Sequence, residues 1–171
     1  MGPLRAGAAV VLVAAAIGLA GCTPGPAPKP TPTPLFTSEA EAFKAAEQVY
    51  RDYSAAGAKA DSGDSDARPE SYLAGAALDE EIANRRDLEA QGLSIKGAAE
   101  IASFTGTNFN SATSRVTAVL CLDVGGARII DETGKDVTPT ERPTMVPLQV
   151  DFARSGNSLL IVRSASGNSQ C

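Results

Sequence analysis

An α+β domain is expected, with helices first and an antiparallel sheet after them. Two observations predict it. The apolar period changes from helical to alternating after Gly92, and four alternating runs then follow, separated by turn residues. A third observation fixes where the domain begins: residues 24, 26, 28, 30, 32 and 34 are all proline, and such a segment cannot build a core.

The first helix starts at Ser38-Glu39-Ala40-Glu41, which reads as a capping box with Ser38 as the cap. Two acids in its first turn also suit the helix dipole. Phe43, Ala46, Val49-Tyr50 and Tyr53 recur at helical spacing, so one apolar face runs to about Ala60. Tyr50 and Tyr53 are the candidate lining of any cavity beneath this helix, but core packing is the preferred reading for both.

Asp61 to Asp66 carries three aspartates. Their spacing and a tyrosine at the twelfth position, Tyr72, do not match a calcium loop, so a solvated acidic loop is expected. Pro69 opens a short helical turn around Glu70 to Ala76. A second helix is expected over Asp79 to Gln91, with acids leading, Arg85 and Arg86 following, and Gly92 as its stop. Leu78, Ile82 and Leu88 mark its buried side.

Leu93, Ile95 and Ile101 then share a face, through Gly97 and Ala99. Val116 to Val124, Val146 to Phe152, and Leu160 with Val162 give three more strands by parity. Turns are expected at Gly106-Thr107-Asn108, Gly125-Gly126, Thr133-Gly134-Lys135 and Gly156-Asn157, the last as a tight hairpin. The apolar phase slips between Ile101 and Phe104, which predicts a bulge there.

The first 21 residues read as a processed leader: Arg5 in a short basic start, an apolar stretch from Ala6 to Ala20, then small residues. That stretch falls short of the roughly 20 residues a membrane span needs. Leu19-Ala20-Gly21-Cys22 resembles the lipobox of bacterial lipoproteins. The resemblance implies cleavage before Cys22 and lipid on its sulfur and new N-terminus, hence a location on the outer face of the cytoplasmic membrane. Residues 22 to 35 then form a lipidated, proline-rich stalk, whose twelve residues 23 to 34 reach roughly 37 Å at about 3.1 Å per residue. Residues 36 to 171 form a single domain.

The chain carries a formal net charge of −5, and loss of the leader with Arg5 makes it one unit more negative. Nucleic acid is thereby disfavoured as a partner. The chain has no His, which removes Ser-His and Cys-His catalysis and the commonest zinc ligand. No metal site and no cofactor is expected. Gly134-Lys135-Asp136 lacks the other residues of a phosphate loop. No lysine follows a serine at the spacing of a serine-lysine acyl enzyme. With Cys22 lipidated, Cys121 and Cys171 remain as an even pair in an oxidising compartment, and a disulfide is the natural reading, against two free thiols. Cys121 shares parity with Asp123, so the polar tail must fold back over the outer face of the sheet.

Over residues 36 to 171 the chain resembles the nuclear-transport-factor-2-like (cystatin-like) superfamily. That resemblance implies a long N-terminal helix and shorter helices packed on a curved four-stranded antiparallel sheet. The C-terminal half resembles small actinobacterial lipoproteins of uncharacterised function, through Val119 to Val124, Asp136-Val137-Thr138-Pro139 with Arg142-Pro143, Pro147-Leu148 and Cys171. Enzymes of the superfamily use a carboxylate inside the cone. Here parity turns Glu100, Asp123 and Asp151 outward. The expectation is therefore a non-catalytic binding or scaffold module with an envelope protein partner. A carrier of a small apolar ligand in the cone is the alternative, and an acid-base enzyme ranks last.

Overall fold

A computed structural model describes residues 34–168, 170 and 171. The expectations for the leader, Leu19 to Cys22 and the stalk up to residue 33 lie outside the described residues. Leu35 packs against the core, and its N–H donates to the Ser114 hydroxyl at 3.2 Å.

Helix α1 spans Glu39–Asp61. Ser38 caps it as expected, its hydroxyl accepting from the Glu41 N–H at 3.2 Å. The return half of the box moves one residue outward: Glu41 accepts from the backbone N–H and hydroxyl of Thr37, at 2.9 and 2.8 Å. Those bonds, the backbone one foremost, hold the Glu41 carboxyl below its usual range. Ala42, Ala46 and Tyr50 form the buried stripe, flanked by half-buried Phe43, Val49 and Tyr53.

A 3-10 turn spans Pro69–Tyr72, and helix α2 spans Gly75–Ala90. The second helix therefore begins four residues before the expected Asp79. The leading acids sit in its second turn, because Ala74, held extended by its N–H donating to the Ile161 carbonyl at 2.9 Å, starts the helix instead. Its end agrees with expectation: Gln91 caps, and Gly92 follows at φ 67°, a left-handed conformation glycine adopts without strain.

Six strands follow: β1 Leu93–Lys96, β2 Glu100–Asn110, β3 Arg115–Asp123, β4 Arg128–Asp131, β5 Met145–Ser155 and β6 Ser158–Ser166. Four make an antiparallel sheet in the order β2-β3-β5-β6. The expected four-strand count for the main sheet is met, but the run from Leu93 to Ile101 is two strands. β1 leaves the main sheet to pair with β4, which alternation alone did not reveal.

Two further expectations are corrected. Gly106-Thr107-Asn108 is not a turn: it lies within β2, where Thr107 is bulged between Gly106↔Ala118 and Asn108↔Thr117. The chain reverses later, at residues 111–114, where Asn110 Oδ1 accepts from the Thr113 N–H at 3.1 Å. On β6 the core face carries Leu159 and Ile161, not Leu160 and Val162. The two-residue turn Gly156-Asn157 pairs Ser155 with Ser158, which places Ile161 opposite Phe152; the register then shifts, Asp151 pairing with Arg163 and Val162 left as the extra residue. The expected bulge near Ala102 is present, between Ile101↔Leu122 and Ser103↔Cys121.

The core lies between α1, the 3-10 turn, α2 and one face of the main sheet. Val116, Ala118 and Leu120 of β3, Val150 and Phe152 of β5, and Leu159 and Ile161 of β6 are all but fully buried there. Each of the larger side chains contributes about 1.5–3 kcal/mol by leaving water, so this layer dominates stability. The Phe104 and Phe152 rings pack 6.3 Å apart and tilted, filling the space under β2.

Candidate functional site

Tyr50 and Tyr53, the candidate cavity lining with packing as the preferred reading, are engaged in packing and bonding. Their rings meet edge to face at 5.8 Å. Tyr53 donates its hydroxyl to Glu81 Oε2 of α2 at 3.0 Å. Glu81 also accepts from Arg85 Nε at 2.5 Å, and Arg85 reaches Asp61 at 3.4 Å. Lys96 Nζ of β1 donates to the Asp61 carbonyl at 3.1 Å. This chain of polar groups joins the end of α1 to α2 and β1.

Burial, then the Glu81 charge, pushes the Tyr50 phenol up to about 12. Burial first, then the charge and hydrogen bond of Glu81, pushes Tyr53 up as well. Burial also raises Asp61, against the pull of Arg85. Arg85 is raised: burial disfavours its charge, but the Glu81 bond and carboxylate outweigh that. The chemistry of this network is that of a helix-to-helix tie.

The strand carboxylates lie on the sheet face turned away from α1. Glu100 and Asp123 are cross-strand partners and both are exposed. Asp151 accepts from the Thr117 hydroxyl at 2.8 Å and faces Arg163 at 3.7 Å. Cys121 shares this face and forms a disulfide with Cys171, their Cα atoms 5.6 Å apart. The tail reaches it by folding over β5, the Gly167 N–H donating to the Pro147 carbonyl at 2.8 Å.

Among the described residues, clefts open on the surface, two of them lined by neither Tyr50 nor Tyr53. The first, about 420 Å³, lies between the second half of α1 and the acidic loop, with Asp52, Lys59, Asp64, Asp66, Arg68 and Tyr72 on its walls. Several of its polar groups are held by neighbours in the chain, and it sets three carboxylates against two cations. Arg68 donates to the Ser65 and Ala67 carbonyls, Asp64 accepts from the Asp66 N–H at 2.9 Å, and Asp52 accepts from Gln48 at 2.9 Å.

The second cleft, about 320 Å³, lies beside β4, lined by Arg128, Asp136, Thr138, Thr140, Arg142 and Thr144 among others. Arg142 Nη2 donates to the Val124 and Ala127 carbonyls, both at 2.8 Å, clamping the loop before β4. The Thr138 hydroxyl accepts from the Ile129 N–H at 2.8 Å, and the Val124 N–H donates to the Thr144 carbonyl at 2.7 Å. Thr138, through its side chain and then its N–H, holds the Asp136 carboxyl below its usual range. Sequence reading picked out Asp136 to Pro139 and Arg142 as motifs carrying a resemblance but did not bring them to one cleft. Their only signal was two short polar motifs close in the chain. Among the described residues no group of three or more His, Cys, Asp or Glu could hold a metal ion, and no helix is long and apolar enough to cross a membrane.

No family model matches the chain, and no curated protein matches it. Among solved structures, it is similar to the intermembrane space region of the chloroplast protein ARC6. The TM-score is 0.53 at 16% identity, over 74% of this chain and 97% of that one. The likeness is one of fold.

Proposed function

We propose that this protein is a membrane-anchored envelope lipoprotein whose NTF2-like domain serves as a non-catalytic binding or scaffold module. Lipid on Cys22 holds it at the outer face of the cytoplasmic membrane, and the proline stalk lifts the domain toward an envelope protein partner. The packed interior is the observation that carries this reading. Phe152, Leu120, Ile161, Val116 and Val150 fill the space beneath α1, which an apolar ligand would otherwise need. The clefts lie at the surface, where a partner can reach them. The Cys121–Cys171 disulfide suits an oxidising compartment.

The test is affinity capture of the tethered protein from intact envelopes, with bound proteins and lipids identified by mass spectrometry. A reproducible protein partner, lost when the surface clefts are substituted, is the expected result. Recovery of one apolar molecule per domain, with no protein partner, would favour the carrier instead.

A further inference from the structure

We infer that the cleft beside β4 is a binding site for a small oxyanionic group, a carboxylate or a phosphate, carried by a ligand of about sugar-phosphate size. The inference goes beyond the tethered-module reading, because it depends on neither the anchor nor a protein partner.

Charge comes first. The chain is acidic overall, with a net charge of −5, yet this cleft gathers Arg128 and Arg142 against the single carboxylate of Asp136. Arg128 already faces Asp136 at 3.8 Å. Arg142 forms no salt bridge of its own among the described residues but lies close enough to act on the Asp136 charge, so two guanidinium groups share one carboxylate and the cleft lining keeps a net positive charge.

Preorganisation comes next. The Arg142 guanidinium is half-buried and fixed by its two carbonyl bonds through Nη2. Its Nε and Nη1 donors are not used by protein acceptors among the described residues. A fixed guanidinium with spare donors loses little freedom when an anion arrives. If Arg142 served only to clamp the loop, a neutral donor would suffice and the charge would be redundant.

Hydroxyls come third. Thr140 and Thr144 line the same cleft, and their side chains make no hydrogen bond to protein among the described residues. They add neutral donors for oxyanion oxygens or for ligand hydroxyls. The volume, about 320 Å³, falls at the small end of ligand sites.

The experiment uses the full lipidated chain in nanodiscs, following the arginine side-chain and threonine amide NMR signals. Inorganic phosphate and acetate are titrated separately, each against chloride at matched ionic strength. Saturable shifts at Arg128, Thr140 and Arg142 with phosphate alone point to a phosphorylated ligand. The same shifts with acetate alone point to a carboxylate, and shifts with both leave the shared oxyanion chemistry standing. Arg142→Gln removes the loop clamp as well as the charge, so Arg128→Gln and Thr140→Val are the companion variants. Arg128→Gln should weaken binding by about tenfold, the effect of one charge-assisted hydrogen bond. Shifts reproduced by chloride alone, or affinity unchanged in both arginine variants, overturn the inference.

Discussion

The ring of Phe43 occupies the space where a side chain at Gly106 would sit. A Cβ built on Gly106 would lie 2.2 Å from Phe43 Cγ, far inside van der Waals contact. The ring is held on α1, whose neighbouring Ala42 and Ala46 are fully buried, so it has little room to retreat. Gly106→Ala is therefore expected to destabilise by about 1–3 kcal/mol, as overpacking does. Urea unfolding measures it. Phe43→Leu in the same chain should recover part of the loss, and an unchanged midpoint in Gly106→Ala would contradict the contact.

The tail is tied to the sheet by one covalent bond. Cys171→Ser is expected to cost about 2–4 kcal/mol, since the Cys121–Cys171 bridge closes a long loop. Calorimetry of the oxidised protein and the variant gives the difference. Two alkylatable thiols in protein taken from its native compartment would exclude the bridge.

Alkaline pH should loosen the helix tie. The folded state raises Tyr50 from 10.0 to about 12 and raises Tyr53 too, so it keeps protons that the unfolded chain releases. Stability from these phenols is therefore complete below pH 10.0 and declines as pH climbs toward about 12. Denaturant titrations across that window should show the decline. Tyr53→Phe should flatten it and cost about 1 kcal/mol at neutral pH through the lost Glu81 bond. An alkaline limb of identical slope in Tyr53→Phe would refute this origin.

The proposed membrane anchor rests on Cys22. Cys22→Ala is expected to leave an uncleaved precursor or to release the domain from the membrane. Fractionation and immunoblotting read the outcome, and normal processing with membrane retention would remove the lipid from the account.

Local signals in the sequence were sufficient where structure depends on neighbours in the chain. Ser38 capped α1 as written, Gly92 ended α2, and Gly156-Asn157 made the tight hairpin. The alternation from Val116 to Leu122 placed its inner face correctly, because one side of that strand is buried. Distant partners decided the rest. Gly106 reads as a turn residue, but its glycine is required by a ring 63 positions earlier, which no local pattern encodes. β4 is four residues long and exists because β1 pairs with it. The arginine cleft depends on loops meeting in space, so Asp136 to Pro139 and Arg142 were visible only as separate short motifs and Arg128 not at all.

Native mass spectrometry of the full chain extracted from membranes tests the central claim most directly: a lipid-tethered module with a filled interior. The expected mass is a polypeptide beginning at Cys22, carrying its acyl groups and one disulfide, with no further apolar molecule bound. A membrane-bound chain that retains its leader, or one apolar ligand held per domain, would contradict it.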